Sequence, residues 1–589
     1  MIRVAIAYFV IACVLIAISF VLFPFLGVPD WGTRLLPAVC ALGFPVALAL
    51  SWIYERTSGG MVRNAPISRS SAKRLDVILF GVTVTVLSLA VASHFWSTAG
   101  SGEQDGLPQV LPDEAIQSQV RYPDNSIAVL PFVNMSDDAD NEYFSDGISE
   151  ELLNLLARVR ELRVISRSSA FSFKGKEVDI PTVAQKLNVA HVLEGSVRKS
   201  GNRVRITAQL IDVASDSHLW SGTYDREMGD IFAIQDEIAA SVVAELKVRL
   251  LGTAPTSEEI NPEAYTLYLQ ARHLGRQYSA ESMEHSNALY QQIVDIEHDY
   301  VPAWSGLSTN YLNQAANGLL SSEEGFDLAR SAAEKALAID PGYAPVHVNL
   351  GWIAYGYNND AAQAARHYER ALELDPANIY AIRSAATLLN SINRPEEAVM
   401  LGQYFTARDP LTASGHTNLG SSYLLVHRWD EAIASYQATL KLSPGYIGAY
   451  YRIGVALLLK GDTVAALDAF SHEKDEEYQV KGKAMALHDL GRHEEFEAKL
   501  AELITRWGSD WPSEVAHVFA YIGDADNAFQ WLNQAIEQNE EGLIEQIFHP
   551  FYDAIHKDPR WDAVLRRMGC SPEQLDAIQF NVILPEESS

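Results

Sequence analysis

The chain has 589 residues, of which 48% are hydrophobic, enough for several packed domains. Its formal net charge is −30, but residues 1–96 carry an excess of Lys and Arg, so residues 97–589 hold a net charge of −34. A region this acidic repels phosphates, which argues against DNA or RNA binding. The three cysteines, Cys13, Cys40 and Cys570, are too few and too scattered for a disulfide framework or a Cys-type zinc site.

Three apolar segments open the chain, at residues 4–29, 35–54 and 77–96. Each is free of charged residues and reaches the roughly 20 residues that a helix needs to cross the hydrocarbon core. A cleaved signal peptide is the alternative for the first segment, but its apolar stretch is too long and prolines stand where small cleavage residues are expected. We therefore expect a three-helix membrane anchor over residues 1–96.

The loop cations predict the orientation of this anchor. Only Arg34, beside Asp30, lies in the first loop, whereas the second loop carries five cations. By the positive-inside rule, the second loop and the amino terminus are cytoplasmic. Residues after about 96 then lie on the other side of a bacterial inner membrane, in the periplasm. The five cations are Arg56, Arg63, Arg69, Lys73 and Arg74.

Residues 97–125 and 126–251 differ sharply in pattern. The first segment is rich in Gly, Ser, Pro, Gln and acids and is expected to be a flexible linker. The second predicts an α/β sandwich that starts with the buried strand SIAVLPF and continues with a helix, for which Asp146 and Ser149 are available as caps. Further strands are expected over residues 162–166, 191–198, 204–213 and 218–224, with helices after Asp179 and from Ile231.

The rest of the chain repeats with a period of 34 residues. This period and its residue pattern resemble the tetratricopeptide repeat, a helix-turn-helix unit. Small residues at two positions let antiparallel helices approach closely, an aromatic ring fills the adjacent gap, and proline closes each unit. The recurring sets are Gly351, Ala386, Gly420 and Gly454; Ala364, Ala398, Ala432 and Ala466; Tyr368, Tyr436 and Phe470; and Pro341, Pro376, Pro410 and Pro444.

Neighbouring repeats must stack to bury their apolar faces, which predicts an all-α solenoid with a concave wall over residues 262–540. The repeats at 261–300 and 301–341 are irregular, and two degenerate ones precede a carboxy-terminal cap and tail at 541–589. An unrelated helical bundle is the alternative. If acids lined the concave wall, it would prefer basic or extended peptides.

Several segments carry a second resemblance: SIAVLPFVNMS, EYFSDGISEEL, LRVISRSS, VLEGSVR, VRITAQLID and HLWSGTYDR. They resemble the TolB amino-terminal-like (FlgO-like) domain of bacterial envelope proteins, which is often joined to tetratricopeptide repeats behind membrane helices. Members of this group are often labelled cyclases because some carry a catalytic domain ahead of the spans, and others carry a winged-helix domain there. Only Met1, Ile2 and Arg3 precede the first span here, so we expect neither domain.

Candidate chemical sites are weak. The acids Asp137, Asp138, Asp140 and Glu142 suggest calcium, but the turn glycine and the closing glutamate of a calcium loop are missing, which favours a solvated loop. The histidine pairs lack a metal-binding pattern, and Ser196 has no His or Asp spaced to activate it. The basic residues Arg163, Arg167, Lys174 and Lys176 indicate either a solvated loop or a docking site for an acidic partner or lipid. The histidine pairs are His488 with His493 and His347 with His416.

The sequence thus predicts a multidomain protein with three transmembrane helices, a small α/β domain and a tetratricopeptide-repeat solenoid. We expect a non-enzymatic membrane-anchored periplasmic scaffold that binds protein partners through the repeat groove and the α/β domain. No catalytic, cofactor or metal residues are predicted, and no nucleic-acid partner. Two alternatives remain open: an envelope signalling component related to cyclase-associated sensors but without its own catalytic domain, and a periplasmic enzyme with an unrecognised site.

Overall fold

The computed structural model describes residues 54–57, 60–63, 122–246, 261–538, 540, 542–582 and 584. The chain divides into two compact units, residues 1–118 and 119–589. The described part of the first unit is an antiparallel hairpin of β1 (Tyr54–Thr57) and β2 (Gly60–Arg63). No described helix is long and apolar enough to cross a bilayer. Apart from Tyr54, the three predicted spans lie outside the described residues.

The second unit begins with one mixed sheet of six strands. In the sheet, β3 lies between β5 and β6 and runs parallel to both, and β4 also pairs with β6. The long strands β6, β7 and β8 follow one another as antiparallel neighbours. The predicted alternation along β7 is confirmed, because its even-numbered apolar residues from Val204 to Leu210 are buried. The strands are β3 (Ser126–Val129), β4 (Val133–Asn134), β5 (Arg163–Val164), β6 (His191–Ser200), β7 (Arg203–Asp212) and β8 (Ser217–Glu227).

Helices α1 (Glu142–Ala157), α2 (Arg167–Phe171), α3 (Ile180–Leu187) and α4 (Ile231–Glu245) accompany this sheet. The predicted caps of α1 are wrong: a 3-10 turn at Ala139–Asn141 starts the helix earlier, so Asp146 and Ser149 lie inside it. Ser149 Oγ instead accepts a hydrogen bond from the Phe132 amide at 2.8 Å.

The strand predicted over residues 162–166 is shorter than expected. Ser166 does not extend β5, because its hydroxyl accepts a hydrogen bond from the Ser169 amide and caps α2. Asp179 caps α3 in the same way, accepting a hydrogen bond from the Thr182 amide at 2.7 Å, as the sequence predicted. Serine and aspartate therefore set where two of these short helices begin.

Eight antiparallel helix pairs follow and form the tetratricopeptide-repeat solenoid. Odd-numbered helices are the first of each pair and even-numbered helices the second. The pairs are α5 (Pro262–Gly275) with α6 (Ala280–Ile296), α7 (Val301–Ala316) with α8 (Ser322–Ile339), α9 (Ala344–Gly356) with α10 (Ala361–Leu374), α11 (Ile379–Ser391) with α12 (Pro395–Arg408), α13 (Ala413–Leu425) with α14 (Trp429–Leu442), α15 (Ala449–Lys460) with α16 (Thr463–His472), α17 (Glu476–Asp489) with α18 (His493–Trp507), and α19 (Pro512–Tyr521) with α20 (Ala525–Glu537).

The recurring glycine and aromatic residues make the close helix–helix contacts that the sequence predicted. A Cβ built on Gly351 would lie 2.3 Å from the Tyr368 ring, one on Gly420 2.6 Å from the Tyr436 ring, and one on Gly454 2.4 Å from the Phe470 ring. Only glycine fits at these contacts, because real Cβ atoms do not approach other atoms so closely. The same crossing occurs in three of the repeats, and the repeat of α11 and α12 has Ala386 in place of the glycine.

The carboxy-terminal part continues beyond the last pair and folds back over the repeats. It contains α21 (Leu543–Gln546), a 3-10 turn at Pro550–Tyr552, α22 (Arg560–Arg567) and α23 (Pro572–Asp576). Phe551 and Tyr552 are fully buried in the core of the last repeats. Phe580 is buried elsewhere, in the core shared by α9, α10, α11 and α12. The sequence predicted a terminal cap but not this return.

Candidate protein-binding groove

The first helices of successive pairs form the inner wall of the solenoid. Neighbouring first helices contact one another from α7 to α13 and again from α15 to α19, and the second helices pack against the first helix of the next pair. Polar side chains link them: Asn349 in α9 bonds to Thr309 in α7 with Nδ2 3.0 Å from Oγ1, and Asn390 in α11 donates to Ser422 in α13 at 3.0 Å. The groove is therefore formed by α7, α9, α11, α13 and α15.

Acidic residues are segregated away from this inner wall. The five helices α7, α9, α11, α13 and α15 contain no Asp or Glu, whereas their partners α8, α10, α12, α14 and α16 all do. Two of the inner helices carry an arginine instead, Arg383 in α11 and Arg452 in α15. The sequence left open which acids face inward, and none lies on an inner helix over these repeats. The groove should attract acidic or neutral segments rather than basic ones.

A small cleft lies between α11 and α13, with residues of α12 also lining it. Arg383 forms no ion pair with any described residue and stands 5.8 Å from the Tyr380 ring centroid. The Asn390 Oδ1 atom is buried without a hydrogen-bond partner in the described structure. A bound peptide could supply a carboxylate to Arg383. The lining residues are Arg383, Ala386, Thr387, Asn390, Gly402, Phe405, Gly415, Asn418, Leu419 and Ser422.

The α/β module, residues 122–246, contacts the solenoid at the turn between α12 and α13. Ser169 Oγ donates to Asp409 Oδ1 at 2.6 Å and accepts from the Leu411 amide at 2.9 Å. The Ser166 amide donates to the Arg408 carbonyl at 2.7 Å. Because Ser169 and Asp409 are buried, this junction holds the module firmly against the repeats.

A buried carboxylate attaches the same module to the first repeat. Glu150 in α1 forms ion pairs with Arg167, Arg272 and Arg276, the last with Oε2 2.6 Å from Nη1. Burial raises the pKa of Glu150, but the three guanidinium groups outweigh it and lower the pKa to about 2. Glu150 is therefore ionised at neutral pH, and the module is bound at two separated places along the solenoid.

The carboxy-terminal segment of residues 543–555 covers the opposite ends of the inner helices. Asp553 Oδ2 lies 3.7 Å from His427 Nε2, beyond the end of α13. Glu545 interacts with Tyr355, near the end of α9. Asp553 and Glu545 therefore lie beside the inner wall, a position that the lack of acids on the inner helices favours.

Beneath this segment lies a buried ionic cluster. Lys481 in α17 pairs with Glu514 in α19, and both side chains are almost wholly enclosed. His517 has no hydrogen bond on either ring nitrogen within the described structure, and its ring centroid lies 5.7 Å from that of His549. Burial and then Lys481 lower the pKa of His517, and burial followed by His517 and Lys481 lowers the pKa of His549 well below its ordinary value.

The sequence-predicted histidine pairs are not brought together. His347 Nε2 donates to the Pro341 carbonyl at 3.1 Å, and His416 Nε2 donates to the Pro410 carbonyl at 2.9 Å, the same contact in two repeats. His347 instead faces His367, with their Nδ1 atoms 3.3 Å apart. His488 stands beside Asp489 and not beside His493. Within the described ranges, no three potential metal ligands cluster.

The other candidate residues also have local structural roles. In the acidic loop, Asp138 Oδ1 accepts from the Asp140 amide, and Ser196 lies within β6 opposite Thr207. In the basic segment, Arg167 and Lys174 are paired with acids of α1, so these two cations are neutralised within the protein. Once the inner helices are known, the sequence alone shows that they contain no acids. The contact between the α/β module and the repeats and the return of the carboxy-terminal segment could not be predicted, because no local sequence pattern marks them.

Comparison with known proteins supports the repeat architecture. Tetratricopeptide-repeat family models match residues 344–378 and 417–476. Residues 123–241 match the model of the second domain of HilA/YgeH-like transcriptional regulators. The TolB amino-terminal-like domain is thus not the family matched there, and that resemblance stays a prediction.

Curated relatives match parts of the chain. "Putative adenylate cyclase 3" of Rhizobium meliloti (strain 1021) is 35% identical over 272 residues, which are 44% of this chain and 45% of that protein. Protein FlbA of Caulobacter vibrioides (strain ATCC 19089 / CIP 103742 / CB 15) is 25% identical over 241 residues, 40% of this chain and 37% of that protein. The chain spans less than half the length of these relatives.

Solved structures show a fold likeness only. A tetratricopeptide repeat protein from Parabacteroides merdae ATCC 43184 superposes with a TM-score of 0.33 at 13% identity, over 42% of this chain and 98% of that one. The Pseudomonas aeruginosa pilF structure gives a TM-score of 0.29 at 18% identity, over 35% and 91%. Likeness at this level does not extend to function.

Proposed function

We propose that this protein is a scaffold that binds segments of partner proteins in the groove of its solenoid. The observation that carries this proposal is the acid-free inner wall of α7, α9, α11, α13 and α15, with its open cleft between α11 and α13. In a chain of net charge −30, such a wall is a local exception. Charge complementarity therefore favours acidic or neutral partner segments.

The groove contains side chains that can bind a peptide but no arrangement of side chains suited to catalysis. Arg383 supplies one cation and Thr387 and Asn418 supply further polar groups, but the cleft lining holds no nucleophile paired with a base. The rigidly attached α/β module provides a second contact surface beside it. We thus propose an adaptor role with no catalytic site of its own.

We further propose that the scaffold is anchored in a bacterial inner membrane by residues 1–96, with residues after about 96 in the periplasm. The support is the three uncharged segments and the five-cation loop. The α/β domain would belong to the TolB amino-terminal-like group. Reporter fusions after Ser589 test the location, since a periplasm-dependent reporter should be active there and a cytosolic one inactive.

A signalling role is the second candidate, and the relative named as an adenylate cyclase favours it. In that case the groove would sense a periplasmic segment, and a separate cytoplasmic protein would supply the output. Purified chain assayed with ATP or GTP should form no cyclic nucleotide. Unaided turnover would overturn the non-enzymatic proposal.

Peptide binding tests the groove directly. Three labelled dodecapeptides of matched length, acidic, neutral and basic, would be titrated into the full-length chain in a non-ionic detergent. We expect the acidic peptide to bind at least about tenfold more tightly than the basic one. Arg383→Gln should remove this preference, whereas Arg370→Gln, on the outer helix α10, should not.

A blocking variant separates the groove from other surfaces. Asn418 is exposed in the cleft, so Asn418→Trp should fill it and abolish peptide binding without unfolding the repeat. Gln437→Trp, exposed on the outer helix α14, is the matched control. Equal binding by both variants would show that peptides do not enter the groove.

A further inference from the structure

The described part of the carboxy-terminal tail, residues 575–582 and 584, lies in a built site on the repeats. Arg394 Nη1 donates to the Phe580 carbonyl at 2.7 Å, and Glu369 Oε1 accepts from the Asn581 amide at 3.1 Å. The Phe580 side chain is only 1% exposed, within the core of α9, α10, α11 and α12. The solenoid thus contacts a carbonyl, an amide and one aromatic ring on two successive residues of the tail.

The polar part of this site is held by the repeats themselves. The Arg394 guanidinium donates two hydrogen bonds of 2.6 Å to the Glu397 carboxylate, from Nε and Nη2. That leaves Nη1 directed at the tail. A pre-positioned donor loses little entropy when a ligand arrives, which is a property of binding sites.

The tail itself has the character of a bound peptide. Beyond α23 its described residues form neither helix nor strand. Phe580 alone among the described tail residues is fully buried, and its apolar neighbours Leu575, Ile578, Val582 and Leu584 are partly exposed. One deep aromatic anchor with main-chain hydrogen bonds beside it is how domains recognise extended segments.

We propose that this surface, which we call the tail site and define by Glu369, Arg394 and the pocket of Phe580, is a second peptide-binding site outside the inner groove. Its ligand is an extended segment of another protein with a central Phe between aliphatic residues. The tail is the tethered occupant of this site. A tether supplies a local concentration of about 1 mM, so even a weak site stays filled until a stronger or more concentrated segment displaces the tail.

Removing the Phe580 side chain from its pocket tests this proposal. The full-length Phe580→Ala chain would be titrated with a labelled peptide of residues 572–584, followed by fluorescence anisotropy. We expect saturable binding to this variant and at least about tenfold weaker binding to the unmodified chain, whose own tail competes. A peptide with Ala in place of the central Phe should not bind.

A matched arginine provides the control for the site. Arg394 and Arg428 both stand immediately before the second helix of a repeat and both pair with a Glu three residues later, but the tail contact is made by Arg394. In the Phe580→Ala background, Arg394→Gln should weaken peptide binding at least fivefold, and Arg428→Gln should leave it unchanged.

Three results would overturn the proposal. The first is a folded Phe580→Ala chain, judged by its circular dichroism and melting temperature, that binds no peptide at millimolar concentration. The second is equal loss of binding in the two arginine variants. The third is a Phe580-dependent dimer of the unmodified chain in light scattering, which would make a second copy the occupant instead of another protein.

Discussion

Ser169 and Asp409 are joined by a buried hydrogen bond of 2.6 Å between residues 240 positions apart in the chain. The serine belongs to the α/β module and the aspartate to the end of α12 in the solenoid. With the Glu150 ion pairs at α5, this bond fixes the module at two places. The module and the repeats should therefore move as one body.

Replacing Ser169 should loosen this junction. Ser169→Ala removes the donor to Asp409 and the acceptor for the Leu411 amide, both in a buried place, so we expect a destabilisation of about 1–3 kcal/mol. Hydrogen exchange should rise in α2 and at residues 408–411. Ser215→Ala, which removes a hydroxyl from an exposed turn, should change neither.

The glycine crossings should not tolerate a methyl group. Gly420→Ala places a Cβ 2.6 Å from the Tyr436 ring, so we expect a loss of about 1–3 kcal/mol in the free energy of unfolding. Gly356→Ala is the control, because its Cβ would meet neighbours at 3.6 Å, an ordinary contact. Chemical denaturation of both variants measures the difference, and equal midpoints would contradict the steric argument.

Glu150 should be one of the costliest side chains to neutralise. Glu150→Gln leaves Arg167, Arg272 and Arg276 close together without their shared carboxylate, so we expect a destabilisation of about 3–5 kcal/mol. Glu373→Gln, from an exposed pair with Arg370, should cost less than about 1 kcal/mol. Thermal unfolding at pH 7 compares the two. Similar melting temperatures would show that the network contributes little.

Lowering the pH should destabilise the packing of the carboxy-terminal segment, residues 543–555. His517 and His549 have lowered pKa values in the fold, so the unfolded state binds protons first and stability falls as the pH drops below about 6.5. Lys481 and Arg452 add to this effect, since their positive charges disfavour imidazolium. Burial raises the pKa of Glu477 to about 7, and this opposes the trend.

Comparison with a non-titrating variant isolates the histidine effect. His549 Nδ1 accepts from the Phe551 amide, and the amide oxygen of Asn can accept the same bond. When the pH falls from 7 to 5, hydrogen exchange over residues 543–555 should therefore increase less in His549→Asn than in the unmodified chain. An unchanged pH response would remove His549 from the explanation. His488→Asn, on the surface side of α17, should leave the response as it is.

Sequence reasoning predicted the repeats well because their information is local. The 34-residue spacing of Gly351, Tyr368 and their counterparts encodes contacts within one helix pair, and the structure has those contacts. The alternation along β7 and the Asp179 cap are local in the same sense. The α1 caps were wrong because a 3-10 turn, which has no strong sequence signal, moved the helix start.

The long-range features could not be predicted in this way. The contact of Ser169 with Asp409 and the return of Phe580 to α9, α10, α11 and α12 join residues with no shared periodicity. The charge of the groove depended on which helix of each pair faces inward. Once that is known, the lack of acids in α11 and α13 is visible in the sequence itself.

The burial of Phe580 also bears on how the protein is made. A ribosome delivers the repeats from the amino-terminal end, and arrays of this kind can begin to order before synthesis is finished. The hydrophobic layer of α9, α10, α11 and α12, however, contains the ring of Phe580, which is synthesised after all the repeats. The core in the middle of the solenoid is therefore complete only after the segment that contains Phe580 has been synthesised, and products truncated before Phe580 lack its ring there.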